Sequence, residues 1–241
     1  MELKNGHRMT DLGTLPQDWV IKRLGDIGVF AKGQGVRKDE AQTGDIPCVR
    51  YGELYTRHHD YIKRFYSFIS RDIAKTARRI KKGDILFAGS GETKEEIGKC
   101  AAFLGDQETY AGGDIVTFSP RNSDPLFLGF LLNTKPIVKQ KASRGQGDAV
   151  VHISARELYE IRVPLPPLRE QNAIATALSD ADALITSLEK LIEKKRLIKQ
   201  GVMQELLRPK EGWEEKRLGE VCEIFGRIGF RGYTINDIVD A

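Results

Sequence analysis

One unbroken stretch constrains this chain more than any other feature. From Arg169 to Leu207 there is no proline, and the only glycine is Gly201. Positions 174, 178, 181, 185, 188, 192, 195, 199, 202 and 206 follow strict three-four spacing. All but two are apolar: Ile174, Leu178, Ala181, Ile185, Leu188, Ile192, Val202 and Leu206. That spacing is the heptad seam of a long helix. At ~1.5 Å per residue, a helix of about 38 residues spans roughly 57 Å. A seam of this length calls for a partner helix; the alternative is a helix laid back along its own domain. Lys195 and Lys199 interrupt the seam, and polar breaks of this kind set register or limit the paired length. Arg208-Pro209 ends the helix, since proline cannot continue it.

The residues before the helix follow a different pattern, and together the two parts predict an α+β chain. Residues 15–166 read as one globular mixed domain after an N-terminal extension, 1–14. Three Gly-Asp turns each feed an apolar run: GDIPCVRYGEL from Gly44, GDILFAGS from Gly83 and GGDIVTFSP from Gly112. Such turns leading into apolar runs predict strands. SDPLFLGFLLNT, Ser123 to Thr134, predicts a short buried helix with Pro125 in its first turn. Ser154 to Leu158 reads as a helical turn, followed by a strand ending at Pro164. PLPPLREQ, Pro164 to Gln171, is a stiff lead into the long helix.

Composition leaves few other classes open. With 241 residues, 40% of them hydrophobic, the chain can bury a core without staples. A net charge of +4 permits an anionic partner without demanding one. Cys48, Cys100 and Cys222 have no metal-binding spacing and read as reduced thiols of a cytoplasmic protein. The start MELKNGHRMT has no signal-peptide core, and no apolar run is long enough to span a membrane.

The chain also begins one passage twice. DWVIKRLGDI from Asp18 returns as GWEEKRLGEV from Gly212, at a constant offset of 194 between Trp19 and Trp213 and between Lys22 and Lys216. So long a period is not that of a solenoid. Residues 209–241 therefore read as the start of a second domain.

With these residues in place, the chain resembles the specificity subunit of type I restriction–modification systems. The proline-rich lead, the Glu170-Gln171 pair, the Leu/Ile seam and the ending KQGVMQELL, Lys199 to Leu207, are similar to that family's long conserved helix. LPQDWVIKRLGDI, GDILFAGSGETKEEIGKCAAF, AGGDIV and IRVPLPPLREQ resemble landmarks of its target recognition domain. The resemblance implies a half-length form, with one recognition domain and one helix spanning 167–208. It implies a non-catalytic subunit that recognises half of a bipartite site in double-stranded DNA. Its implied partners are a modification subunit, which methylates adenine with S-adenosylmethionine, and a restriction subunit, which uses ATP and magnesium. A homodimer through the helix would read a split palindrome. The alternative is a remnant that serves as a coiled-coil assembly adaptor without DNA specificity.

The expected DNA contacts fall in several stretches. AKGQGVRKDE supplies Lys32, Gln34, Arg37 and Lys38; GSGETKEE supplies Ser90, Thr93 and Lys94; KASRGQGDAV supplies Ser143, Arg144 and Gln146. Ile62 to Asp84 carries eight basic residues against two acids, of which Lys63, Arg64, Lys75, Arg78, Arg79, Lys81 and Lys82 are the candidates for phosphate contact. Its second half, from the capping Ser70, predicts a short helix. Arg57 lies beside His58-His59, a pair expected on opposite faces of a strand and so unsuited to a shared metal. No catalytic motif is complete. GSGETKEEIGK lacks a phosphate loop's first glycine, with Thr93 in its place, and Cys100 follows Lys99 where Ser or Thr is required.

Overall fold

A computed structural model describes residues 6–147 and 150–223. The chain divides into two compact units, Met1–Leu184 and Ile185–Ala241.

The first unit opens with a hairpin of β1 (His7–Thr10) and β2 (Gly13–Pro16), which crosses the boundary between the stretch read as an extension and the domain. Then come β3 (Val20–Arg23), α1 (Leu24–Ile27), β4 (Gly28–Lys32), β5 (Ile46–Val49), α2 (Tyr51–Thr56), β6 (Ser67–Ile69), α3 (Arg71–Ala74) and β7 (Arg78–Ile80). The middle holds β8 (Ile85–Ala88), β9 (Ser90–Gly91), β10 (Cys100–Ala102), β11 (Thr109–Ala111) and β12 (Ile115–Pro120). It continues with α4 (Pro125–Leu131), α5 (Lys135–Ala142), β13 (Val151–His152), α6 (Ala155–Tyr159) and β14 (Arg162–Leu165). The long helix is α7 (Leu168–Leu206), and α8 (Leu218–Val221) lies in the second unit.

Two four-stranded sheets build the core of the first unit. One has the order β10-β8-β12-β4 and the other β6-β5-β11-β7. The period-two alternation of a strand sorts β8 between two cores. Ile85 and Phe87 join Val116 and Phe118 of β12 in a cluster with Phe127 and Leu128 of α4 and Leu158 of α6. Leu86 and Ala88 face the other way and join Ile115, Val49 of β5, Ala111 of β11 and Ile80 of β7. The second sheet therefore packs across the first. Its far face holds a third cluster with Ile46, Cys48, Ile69, Tyr110 and Val36.

Each of the three Gly-Asp turns leads into a strand, at β5, β8 and β12. Asp84 shows the chemistry of one such turn. It accepts from the Lys81 backbone N–H at 2.8 Å and from the Ser119 hydroxyl at 2.6 Å. The helix predicted from Ser123 ends earlier than the apolar spacing implies, at Leu131, and α5 starts at Lys135. Asp124 caps α4 by accepting from Phe127 N–H at 2.6 Å, with Pro125 in its first turn.

Two local expectations are corrected. The basic stretch from Ser70 is not one helix: α3 has four residues, and Arg78–Ile80 is a strand paired antiparallel with β11. Ser70 does cap α3, accepting from Ile73 N–H. The sheet edge at β11 claims residues whose side chains alone favour a helix. The histidine pair lies on no strand, because it follows α2. His58 is buried, with its Nε2 3.6 Å from Glu53 Oε2, while His59 is exposed.

The entry to α7 is a hydrogen-bonded joint. Gln171 is buried; its Oε1 accepts from Asp124 N–H at 2.9 Å, and its Nε2 donates to Pro166 O at 2.9 Å. Trp19 Nε1 donates to Glu170 Oε1 at 3.3 Å. Ile174 and Ala175 complete this joint by packing on the first core. The first seam residue therefore serves the domain itself. Leu178, Ile185, Leu188, Ile192, Val202 and Leu206 are all exposed, as is Ala181.

The buried cysteines are packing residues. Burial pushes the Cys48 thiol up to about 12 and the Cys100 thiol up to about 11. Neither carries appreciable thiolate at neutral pH. Among the described residues no group of three or more His, Cys, Asp and Glu could hold a metal ion, and no helix is long and apolar enough to cross a membrane.

Candidate nucleic-acid interface

The loop after β4 carries the first part of the site. Gly33 N–H donates to Ile115 O at 2.6 Å, and Gly113 N–H donates to Gly35 O at 2.9 Å. At Gly33 a Cβ would lie 2.0 Å from Gly112 O, so only glycine permits this approach of two backbones. Val36 is buried in the third core and has φ of 57°. A β-branched residue in the left-handed region is strained, by about 1–3 kcal/mol, and burial holds it there. Arg37 N–H donates to Glu40 Oε2 at 2.7 Å, closing the turn and leaving the Arg37 and Lys38 side chains in solvent.

Against this loop sits the chain that links α3 to β7. Arg78 N–H donates to Gln34 O at 3.3 Å. Gln34, Lys75, Thr76, Ala77, Arg78, Arg79 and Lys81 line an open cleft of about 590 Å³. Its lining holds four cations and no carboxylate. Lys75 pairs with Asp72 at 2.7 Å on the same short helix. Arg78, Arg79 and Lys81 make no ion pair within 4 Å among the described residues. Solvated cations converging beside polar backbone are what a phosphate chain requires.

A second cleft, of about 360 Å³, has Lys32 on its rim, two residues before Gln34 of the first. Gly89, Ser90, Gly113, Asp114, His152 and Arg156 contribute to its lining. Its floor is sheet: β9 pairs with β13, with His152 opposite Ser90 and Val151 opposite Gly91. Ser90 Oγ and His152 Nδ1 are 2.9 Å apart and hydrogen-bonded. Neither His152 nor Arg156 is among the residues the sequence singles out.

The remaining expected DNA-facing residues are dispersed. Lys82 pairs with Asp106 at 2.9 Å, and Lys63 pairs with Asp182 of α7 at 3.0 Å. Arg57 and Arg64 both lie over the Tyr66 ring, at 5.2 and 4.7 Å from its centroid. Thr93 and Lys94 stand on an exposed turn shared with Glu92, Glu95 and Glu96. Ser143 donates to Gln140 O at 2.8 Å, and Arg144 to Glu160 O at 3.4 Å. Gln146 pairs backbone to backbone with His152, at 2.9 and 2.7 Å, so that stretch braces β13.

A fully buried lysine holds the turn between β9 and β10. Lys141 Nζ donates to Gly98 O at 2.6 Å, and burial lowers its pKa. Tyr55 OH donates to Ser90 O at 3.0 Å, and Lys99 Nζ to Tyr55 O at 3.1 Å. The second cleft therefore stands on a rigid support.

Fold and clefts define a two-sheet domain with a cationic surface, joined to a helix whose apolar stripe is exposed. The chain belongs to the type I restriction modification DNA specificity domain family, whose pattern it matches over residues 16–199. It is 31% identical over 229 residues to a putative type I restriction enzyme MjaX specificity subunit of Methanocaldococcus jannaschii, covering 90% of this chain and 52% of that protein. It is 24% identical over 202 residues to the EcoKI specificity subunit of Escherichia coli, covering 79% of this chain and 43% of that one. The chain thus spans about half the length of the curated relatives it matches. Among solved structures, the type I restriction-modification system S subunit from M. genitalium has the same fold, with a TM-score of 0.56 at 18% identity. That match covers 88% of this chain and 49% of the other.

Proposed function

We propose that this chain is a DNA sequence-specificity subunit that recognises one half of a bipartite double-stranded site and does no chemistry itself. The cleft lined by Gln34, Lys75, Arg78, Arg79 and Lys81 carries the reading, because its charge is of one sign and it lies beside a fixed glycine-bounded loop. In this reading residues 15–166 are the target recognition domain, 167–208 the spacer and docking helix, and 209–241 the start of a second recognition domain. The adenine methyltransferase subunit, using S-adenosylmethionine, docks on the helix and its flanks. A restriction subunit using ATP and magnesium joins the same cytoplasmic assembly.

The exposed stripe from Leu178 to Leu206 supports pairing with the same helix of a second copy. A two-fold pair places identical domains at both ends, so the target is two inverted half-sites with a spacer set by the helices. Replacing Arg78, Arg79 and Lys81 together with alanine should weaken duplex binding for every sequence alike. It should also flatten the salt dependence by about 0.9 in log-log slope for each phosphate that is no longer neutralised. An unchanged affinity and slope would remove the cleft from the interface. A strict monomer by mass in the assembled complex would remove the dimer.

A further inference from the structure

We infer that His152, oriented by Ser90, is a base-reading side chain, and that the cleft around it is where sequence choice is made. The inference rests on the DNA-specificity reading above and locates the discriminating chemistry within it.

The two clefts differ in how their polar groups are held. The cations of the first are exposed, and Arg78, Arg79 and Lys81 are tied by no ion pair among the described residues. Such groups follow a phosphate wherever it lies, and carry no sequence information. In the second cleft the central pair, Ser90 and His152, rises from strands. His152 is clamped on both sides, by its pairing with Ser90 and by the two backbone hydrogen bonds to Gln146. Gly89 N–H donates to Asp114 O at 2.8 Å, and Ile153 N–H to Gly89 O at 2.9 Å, fixing the floor beneath it. Reading a base requires that a donor or acceptor be held to within a fraction of an ångström, which strand-borne groups with supporting hydrogen bonds achieve.

The pair leaves one directional group. The Ser90 side chain is buried and spends its hydroxyl on His152 Nδ1. The imidazole Nε2 makes no hydrogen bond among the described residues, and the residue is exposed. With Nδ1 accepting from serine, Nε2 bears the proton and donates; in the other tautomer it accepts. Either state matches one set of base-edge groups and rejects the other. Lys32 and Arg156 flank it on the rim of the same cleft, from β4 and α6. They add donors and hold the neighbouring DNA backbone.

The test is selection from a random duplex library by the full chain assembled with its cognate modification subunit. His152→Gln, His152→Asn and Ser90→Ala are compared with the unmodified chain. His152 is at the surface, so its replacements empty no core. The expected result is a changed base preference at one and the same position of the half-site in all three variants, about 10-fold or more at that position, with the rest of the motif kept. An unchanged motif at any level of enrichment would overturn the inference, because a phosphate-binding or structural role weakens all sequences together. Loss of all enrichment in a variant whose circular dichroism is unaltered would overturn it for the same reason. If the unmodified complex enriches no sequence, it is the DNA-specificity reading itself that fails.

Discussion

The passage from Asp18 and its repeat from Gly212 share five of ten residues and one four-residue helix, but have opposite surroundings. Leu24–Ile27 and Leu218–Val221 are both four-residue helices, each entered from an arginine in extended conformation. The offset of 194 seen in the residues is thus repeated in the backbone. Leu24 is 0% exposed and Leu218 69%; Ile27 is 5% exposed and Val221 62%. Local sequence sets the turn, and the partners set the burial. The first copy has β14 paired with β3, Ile161 O accepting from Leu24 N–H at 2.9 Å, and Glu170 accepting from Trp19. One conservative difference is visible in the caps. Asp26 is short and bonds the Arg23 guanidinium at 3.2 Å, whereas the longer Glu220 reaches back to the Arg217 N–H at 3.3 Å.

The strongest way to break this comparison is at the buried leucine. Leu24→Ala should cost about 2–5 kcal/mol in urea unfolding. Leu218→Ala should stay within about 0.5 kcal/mol, as surface changes do. Equal costs would mean that the second copy is covered in solution. The glycines sharpen the contrast by sign. A Cβ on Gly25 would fall 1.9 Å from Tyr159 Cδ2, while Gly219 has nothing within 4 Å. Gly25→Ala should therefore destabilise by about 1–3 kcal/mol through overpacking. Gly219→Ala should be neutral or gain up to ~1 kcal/mol of helix propensity. The smallest effect is at the tryptophans. Trp19→Phe loses the hydrogen bond to Glu170 and should cost about 1 kcal/mol, and Trp213→Phe should leave unfolding unchanged.

What the sequence reveals follows the same division between local and distant causes. The long helix, expected over 167–208 and found at Leu168–Leu206, is legible to within two residues at each end, because prolines bound it and its period is local. The strands at Ile46, Ile85 and Ile115 are legible for the same reason, since each follows its own Gly-Asp turn. The basic run after Ala74 misleads, because its strand exists only through pairing with β11, some thirty residues on. The first cleft is half legible. Gln34 and the run Lys75–Lys81 stand out by composition, but only the fold brings them together. Ser90 stands out as a polar residue after a strand, but its partner His152 lies 62 residues away. The Ser154-x-x-Glu157 capping box, in which Glu157 Oε2 accepts from Ser154 N–H at 2.9 Å, is the nearest local signal, since it fixes the helix that carries Arg156. Of the joint at α7, the pair Glu170-Gln171 is visible in the sequence, and its hydrogen bonds to Trp19, Asp124 and Pro166 are not.

The central claim is that one recognition domain and one exposed helix make half of a symmetric DNA reader. Mapping methyladenine in host DNA, with this chain co-expressed with its cognate modification subunit, tests that most directly. The account predicts methylation at a split palindrome, two identical inverted half-sites around a fixed spacer. Methylation at an asymmetric motif, or an assembled complex that methylates no defined sequence, would contradict it.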